Sequence, residues 1–230
     1  MILTSDRIAE LSAAWEDLSP PEIVARSLEL FGTGITLASS FGLEDVALIH
    51  MAALASQAPV DVFCLDTEVL FPETYALMHR VQDAYPVRLR RILPALSLAE
   101  QAERHGPELW SRAPDLCCAL RKVEPLGRAL EGYDAWITGL RRAQSPTRRQ
   151  ARTIEYDERH GLVKVNPLVR WTDDDLRAYI QSEGVPYNPL HDQGYPSIGC
   201  IHCTRAVAPG EDPRAGRWSG FAKTECGLHQ

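Results

Sequence analysis

Apolar positions along the chain change repeatedly between strand-like runs and helical periodicity, and the pattern predicts strand-then-helix repeats. Ser19-Pro20-Pro21-Glu22 places a capping hydroxyl, prolines and a carboxylate where a helix begins, and Gly32 is where that helix should stop. ITLAS at 35–39 then reads as a short strand, LEDVALIHMAALASQ at 43–57 as a helix, and VDVFCLD at 60–66 as a second strand. PETYALMHRVQDAY at 72–85 is again helical, and the run VRLRRIL after it is strand-like. DAWITGL at 134–140 and LVKVNPL at 162–168 add strands, and Thr172-Asp173-Asp174-Asp175 caps a helix ending near Gly184. Strands alternating with helices of roughly 10 to 15 residues build βαβ units, so the expected fold class is α/β with a parallel sheet flanked by helices. Beyond about Pro186 the sequence turns to proline, glycine and turn residues, which predicts a loop-rich C-terminal tail. The expected division is an α/β domain over 1–190, with 191–230 as a loop and tail of the same domain.

Composition narrows the function classes. With 230 residues, 45% of them hydrophobic and 24% charged, the chain can bury one sizeable core, which excludes a fibre, a mucin or a disordered segment. Lys+Arg number 24 against 31 Asp+Glu, a net charge of -7, which argues against a nucleic-acid partner. An anion must therefore be met by local basic clusters. The start, MILTSDRIAELSAAWEDL, carries acids throughout and no long apolar run, so neither a signal peptide nor a membrane span is expected and the cytoplasm is the expected location.

In a reducing compartment six cysteines point to ligation or redox chemistry rather than disulfides. Cys117-Cys118 and Cys200-Ile201-His202-Cys203 can together supply four thiolates to zinc or to an iron–sulfur cluster. Neighbours on a helix diverge by about 100°, which suits one tetrahedral ion poorly and a multi-iron cluster better. Cys226, in KTECGLHQ near the C-terminus, falls outside that count; a thiol on a tail can enter a site and leave it to meet a protein reductant, and Lys223 and the arginines place positive charge near it. Cys64, in an apolar strand, reads as an inert core thiol. In LASSFGLED a strand feeds Ser39, Ser40 and Gly42 into a helix start, an arrangement that either binds an anion or simply caps the helix. Asp66 and Thr67 end the next strand in the same way. Arg141, Arg142, Arg148, Arg149 and Arg152 crowd one segment, and Arg214 and Arg217 recur in DPRAGRW; guanidinium forks of this kind bind phosphate or sulfate.

Taken together, SSFGLED, LDTEVLFPETY, CCALRKVEPL, TGLRRAQSPTR, IGCIHCTR, GRW and KTECGLH resemble the iron–sulfur form of the adenylyl-sulfate reductase family of assimilatory sulfate reduction. The resemblance implies an adenine nucleotide α-hydrolase-like fold and the thioredoxin-dependent reduction of adenosine 5'-phosphosulfate (APS) to sulfite and AMP. It implies Cys117, Cys118, Cys200 and Cys203 as ligands of a [4Fe-4S] cluster, Cys226 as the nucleophile that becomes an S-sulfocysteine, and Lys122 between cluster and substrate. Ser39, Ser40, Asp66 and Thr67 would line the nucleotide pocket. Arg141, Arg142, Arg214 and Arg217 would hold the phosphosulfate or the closing tail, with Arg148 or Arg149 as a further substrate arginine. The expected partners are APS and thioredoxin or a similar dithiol donor, and assembly into a homo-oligomer is left open. Reduction of the 3'-phosphorylated substrate (PAPS), or of both, is the nearest alternative; an ATP-dependent tRNA-thiolation enzyme of the same fold group and a zinc-binding module are the others.

Overall fold

The helices Pro20–Phe31 and Asp173–Ser182 form where the sequence supplies both a start signal and an apolar stripe. The structure, a computed structural model, describes residues 3–223 and 225–228. In chain order the elements are α1 (Ser5–Trp15), α2 (Pro20–Phe31), β1 (Ile35–Ala38), α3 (Leu43–Ala55), β2 (Val60–Leu65), α4 (Pro72–Ala84), β3 (Val87–Ile92), α5 (Leu98–His105), α6 (Leu109–Arg112), α7 (Pro114–Cys118), α8 (Glu124–Leu130), β4 (Ala135–Ile137), β5 (Ile154–Asp157), β6 (Leu162–Val165) and α9 (Asp173–Ser182). At the start of α2 the Ser19 N–H donates to Glu22 at 2.9 Å, and the helix buries Ile23, Val24, Ser27 and Phe31 along one stripe before Gly32, at φ 52°, ends it. Thr172 and Asp175 cap α9 reciprocally at 2.8 and 3.1 Å.

The six strands lie in the order β3-β2-β1-β4-β6-β5. β1 pairs in parallel with both β2 and β4, and β4 with β6. The strands are short and apolar, and β4 and β6 are buried along their whole length, as parallel strands covered on both faces must be. Lys164 on β6 is accommodated by Glu155, its cross-strand partner on β5, at 3.0 Å, with Trp136 beneath its ammonium. The sheet departs from the all-parallel expectation at this edge: β5 runs antiparallel to β6 through a turn at Gly161, whose φ is 73°. IEYD gives little strand signal by itself, because only Ile154 is fully buried; pairing with β6 makes it a strand.

The chain divides into two compact units: Met1–Phe63 with His79–Arg90 and Leu130–Tyr187, and Cys64–Met78 with Arg91–Ala129 and Asn188–Gln230. The C-terminal segment is thus grouped with two earlier stretches of chain. No helix among the described residues is long and apolar enough to cross a membrane.

Candidate functional site

In the first unit the strand order reverses at β1, which lies between β2 and β4, and ligands of open α/β sheets bind at the carboxyl ends of strands around such a reversal. β1 passes there into Ser39-Ser40-Phe41-Gly42, with Gly42 capping α3. The loop closes on a carboxylate of its own: Ser40 donates to Asp45 from its N–H at 2.6 Å and its hydroxyl at 2.7 Å, and the Gly42 N–H donates as well. Burial drives the Asp45 carboxyl up to about 6; the Ser40 donors oppose that rise and the neighbouring Glu44 adds to it. Phe41 holds a left-handed φ of 60° because its ring is buried, a strain of the kind found at binding loops. The turn after β4 packs on the same helix end. Arg141, only 4% exposed, donates to Glu44 through Nε at 3.0 Å and Nη2 at 2.7 Å, and reaches Asp173 at 2.5 Å. Gln144 also donates to Glu44, at 2.9 Å. Gly139 is required there, since a Cβ would stand 2.6 Å from both Asp45 Oδ1 and Glu44 Cβ.

The second unit holds all six cysteines. Asp66 is fully buried at the end of β2; one oxygen accepts from Tyr75 at 2.7 Å and the Glu68 N–H at 2.9 Å, the other from Arg91 Nε at 2.9 Å. Burial alone would raise this carboxyl, but Arg91 and Tyr75 outweigh it and hold it below the ordinary range. Pro114 opens α7, which continues into α8 through a π-helical segment, Ala119–Val123. Such bulges often mark functional sites. Four-residue spacing sets Arg121 beside Cys117 and Lys122 beside Cys118, and each cation favours the thiolate of its neighbour. Arg121 is buried and acts as a hub, donating to the Thr67 carbonyl at 2.8 Å, Gln101 at 3.1 Å, the Leu96 carbonyl at 3.3 Å and Glu68 at 2.5 Å. Cys200–Cys203 is a tight turn, closed by the Cys203 N–H on the Cys200 carbonyl and tied to Val69 by the Ile201 N–H at 2.9 Å.

Cys117, Cys118, Cys200 and Cys203 line one small cavity together with Lys122, Arg217, Trp110, His202 and Trp218. Burial pushes Cys117 up to about 12, and the three other sulfurs add to it; Cys203 rises to about 11, by burial and by Cys200. Cys117, Cys118 and Cys203 are thus all held back from ionising, with burial as the leading cause at each. No three His, Cys, Asp or Glu side chains among the described residues converge as single-ion ligands. At Lys122 burial opposes the ammonium, but the sulfurs of Cys200, Cys226 and Cys118 prevail and hold its pKa above the usual value. Arg217 donates to Ser197 at 3.1 Å and lies over Trp218, while its buried Nε–H has no hydrogen-bond partner among the described residues. Arg214 pairs with Glu225 at 3.3 Å, and Lys223 pairs with Asp115 and covers Trp218.

The model of the phosphoadenosine phosphosulfate reductase domain matches residues 34–206. The chain belongs to this family. Within the reductase family it is 50% identical over 225 residues to the phosphoadenosine 5'-phosphosulfate reductase of Gloeobacter violaceus, covering 96% of this chain and 93% of that one. It is 49% identical over 209 residues to the adenosine 5'-phosphosulfate reductase of Shouchella clausii, covering 90% and 86%. The phosphoadenylyl-sulfate reductase of Candida auris, solved as a phosphate complex, superposes with a TM-score of 0.76 at 34% identity, over 90% of this chain and 99% of its own.

Of the residues expected from sequence, this reductase-family chain gathers the four cysteines, Lys122, Arg217 and Cys226 in its second unit, with Thr67 Oγ1 3.3 Å from Cys200 Sγ. Several others carry internal partners that the sequence did not reveal. The Ser40 hydroxyl is committed to Asp45, Asp66 to Arg91 and Tyr75, and Arg141 to Glu44 and Asp173. Arg142 bonds the Ala151 carbonyl at 2.8 Å and Glu16 at 2.8 Å, and Arg148 bonds Gln144. Arg149 is exposed. Lys223, expected to put charge beside Cys226, pairs with Asp115 and also acts on the Cys118 sulfur, favouring its thiolate. Cys64 is buried in β2, as read. Sequence reasoning missed Asp45, Glu44, Gln144, Arg91, Arg121 and Trp110. The acids sit inside motifs already quoted, and their pairing needs the fold. Thr224 and His229 of the terminal motif lie outside the described residues.

Proposed function

We propose that this chain reduces APS to sulfite and AMP in assimilatory sulfate reduction, using Cys226 as nucleophile and a thioredoxin-class dithiol protein as reductant. The observation that carries the reading is the cavity where four thiols, Lys122 and the unpartnered Arg217 Nε–H converge, with Cys226 near enough to act on the Lys122 ammonium. Its cofactor is a [4Fe-4S] cluster on Cys117, Cys118, Cys200 and Cys203. In support, the donors are thiols only, a vicinal pair and a CxxC pair, and all four line one cavity. When bound, the cluster supplies rigid anchorage and fixed charge, and coordination relieves the mutual cost of ionising the thiols.

The Cys226 thiolate attacks the sulfur of APS; a sulfur–sulfur bond forms, the sulfur–oxygen bond to phosphate breaks, and AMP leaves with the electron pair. Lys122 and Arg217 offset the crowded negative charge of that step. One thiol of the donor then attacks the Cys226 sulfur, releasing sulfite and leaving a mixed disulfide, which the second donor thiol resolves. The dithiol's two electrons thus reduce the transferred sulfur, and the cluster need not carry any. Ser39 and Arg148 or Arg149 contact the nucleotide in the first unit in this reading, while Thr67, buried with its Oγ1 3.3 Å from Cys200 Sγ, supports the cysteine turn of the second. Ser40, Asp66, Arg141 and Arg142 shape the loops, and Arg214 holds the tail through Glu225. A reducing compartment, the cytoplasm, is where a site built on thiols persists.

PAPS is the second reading, favoured by the names of the Gloeobacter and Candida relatives. Sulfite release by anaerobically purified protein with thioredoxin, measured over a concentration series of each substrate, separates the two. We expect a higher kcat/KM with APS. A higher value with PAPS would transfer the mechanism to that substrate, and no sulfite from either would end the reductase reading.

A further inference from the structure

The sulfur cavity has one wall that the proposed chemistry does not use. The indole of Trp110, on α6, stacks on the imidazole of His202, with ring centroids 4.2 Å apart and planes 7° from parallel. Both rings line the cavity that holds Cys117, Cys118, Cys200 and Cys203. His202 sits between Cys200 and Cys203 in their turn, so whatever holds its ring holds that turn. The two sulfur pairs differ in cover: Cys117 and Cys118 are 8% and 6% exposed on the helix, whereas Cys200 and Cys203 are half-buried on a loop with an exposed Ile201 and His202. Backbone bonds tie the turn to Val69 and Trp218, while the stack is a side-chain tie to α6. α6 itself starts from Glu108 in a left-handed conformation, φ 50°, and carries Trp110 as its second residue.

We propose that the Trp110–His202 stack is a shield over the sulfur site, a positioning pair that keeps the Cys200–Cys203 turn closed against solvent and oxidants. The argument is one of local opening: a half-buried thiol reacts at a rate set by how often its cover lifts, and a parallel aromatic stack holds that cover down. Imidazole serves here as a flat ring and not through its proton. The inference rests on the reading of these thiols as the working site, and it concerns their accessibility whether or not iron is bound.

The test compares wild type with His202→Ala, which removes the ring from an exposed position, and His202→Phe, which restores a ring without its nitrogens. Two rates are read on anaerobically purified protein: bleaching of the iron–sulfur absorption after admission of air, and alkylation of Cys200 and Cys203 by iodoacetamide, located by peptide mass spectrometry in chelator-treated samples. His202→Ala should speed both about 2- to 10-fold, and His202→Phe should return them to near the wild-type rate. Trp110→Leu, which keeps apolar bulk but no ring face, should match His202→Ala. Wild-type rates in His202→Ala, or rates in His202→Phe as fast as in His202→Ala, would overturn the shield. Protein that purifies without iron and sulfide would remove the cluster from the proposed function, and the alkylation rates would still decide the shield.

Discussion

Asp45 accepts the Ser40 donors of the β1–α3 loop, which the sequence read as either an anion site or a helix cap, and its titration gives that loop a pH signature. Its carboxyl is raised from 3.8 to about 6 by burial, so between those values the folded protein binds a proton that the unfolded chain has released. The sign follows: this group's contribution favours the fold below about pH 4 and is lost as pH rises through about 6. We expect Asp45→Asn, which keeps an acceptor for Ser40 without the charge, to flatten stability between pH 4 and 7 relative to wild type, by roughly 2–3 kcal/mol across the window. Urea unfolding at several pH values measures it, and parallel curves for the two proteins would show that Asp45 titrates as an ordinary carboxylate. Arg121 makes the matching point about buried cations. Four bonds to Thr67, Leu96, Gln101 and Glu68 satisfy it, so its work is to hold the β2–α4 loop beside the cysteines.

At the scale of elements, the β4 turn and the start of α3 are fitted so closely that only glycine serves at Gly139. Gly139→Ala should push the Arg141–Gln144 turn away from Glu44 and Asp45, costing about 1–3 kcal/mol in stability. In the proposed reaction the same change should raise KM for APS more than it lowers kcat; an unchanged KM would separate this loop from nucleotide binding. The sequence made these elements legible where the signals were local: the Ser19 and Thr172 caps, the strand–helix alternation, and the ends of β1 and β2. It did not make β5 legible, because IEYD becomes a strand only through its register with β6. Nor did it reveal the π-helical segment, which carries the buried Arg121 to the Thr67 carbonyl. The arginines were readable as a cluster but not as individuals: Arg141 and Arg142 turn out to be paired with Glu44, Asp173 and Glu16, acids scattered over a wide stretch of chain.

For the whole molecule, an acidic chain of net charge -7 handles anionic chemistry by concentrating a few cations where sulfurs gather. Lys122 and Arg217 meet the cysteines in the second unit, and the tail is held there by Arg214 with Glu225 and Lys223 with Asp115. Cysteine spacing made this gathering readable before any fold was known, since a vicinal pair, a CxxC pair and a tail thiol leave few other purposes. The account turns on Cys226 as the atom that takes the sulfo group. Its most direct test is peptide mass spectrometry of protein incubated anaerobically with APS in the absence of any dithiol. The account predicts one SO₃ group on Cys226, removed by thioredoxin with release of sulfite, and no adduct in Cys226→Ser, which should keep its iron–sulfur absorption. An adduct on another cysteine, or AMP release with no adduct on the wild-type protein, would contradict it.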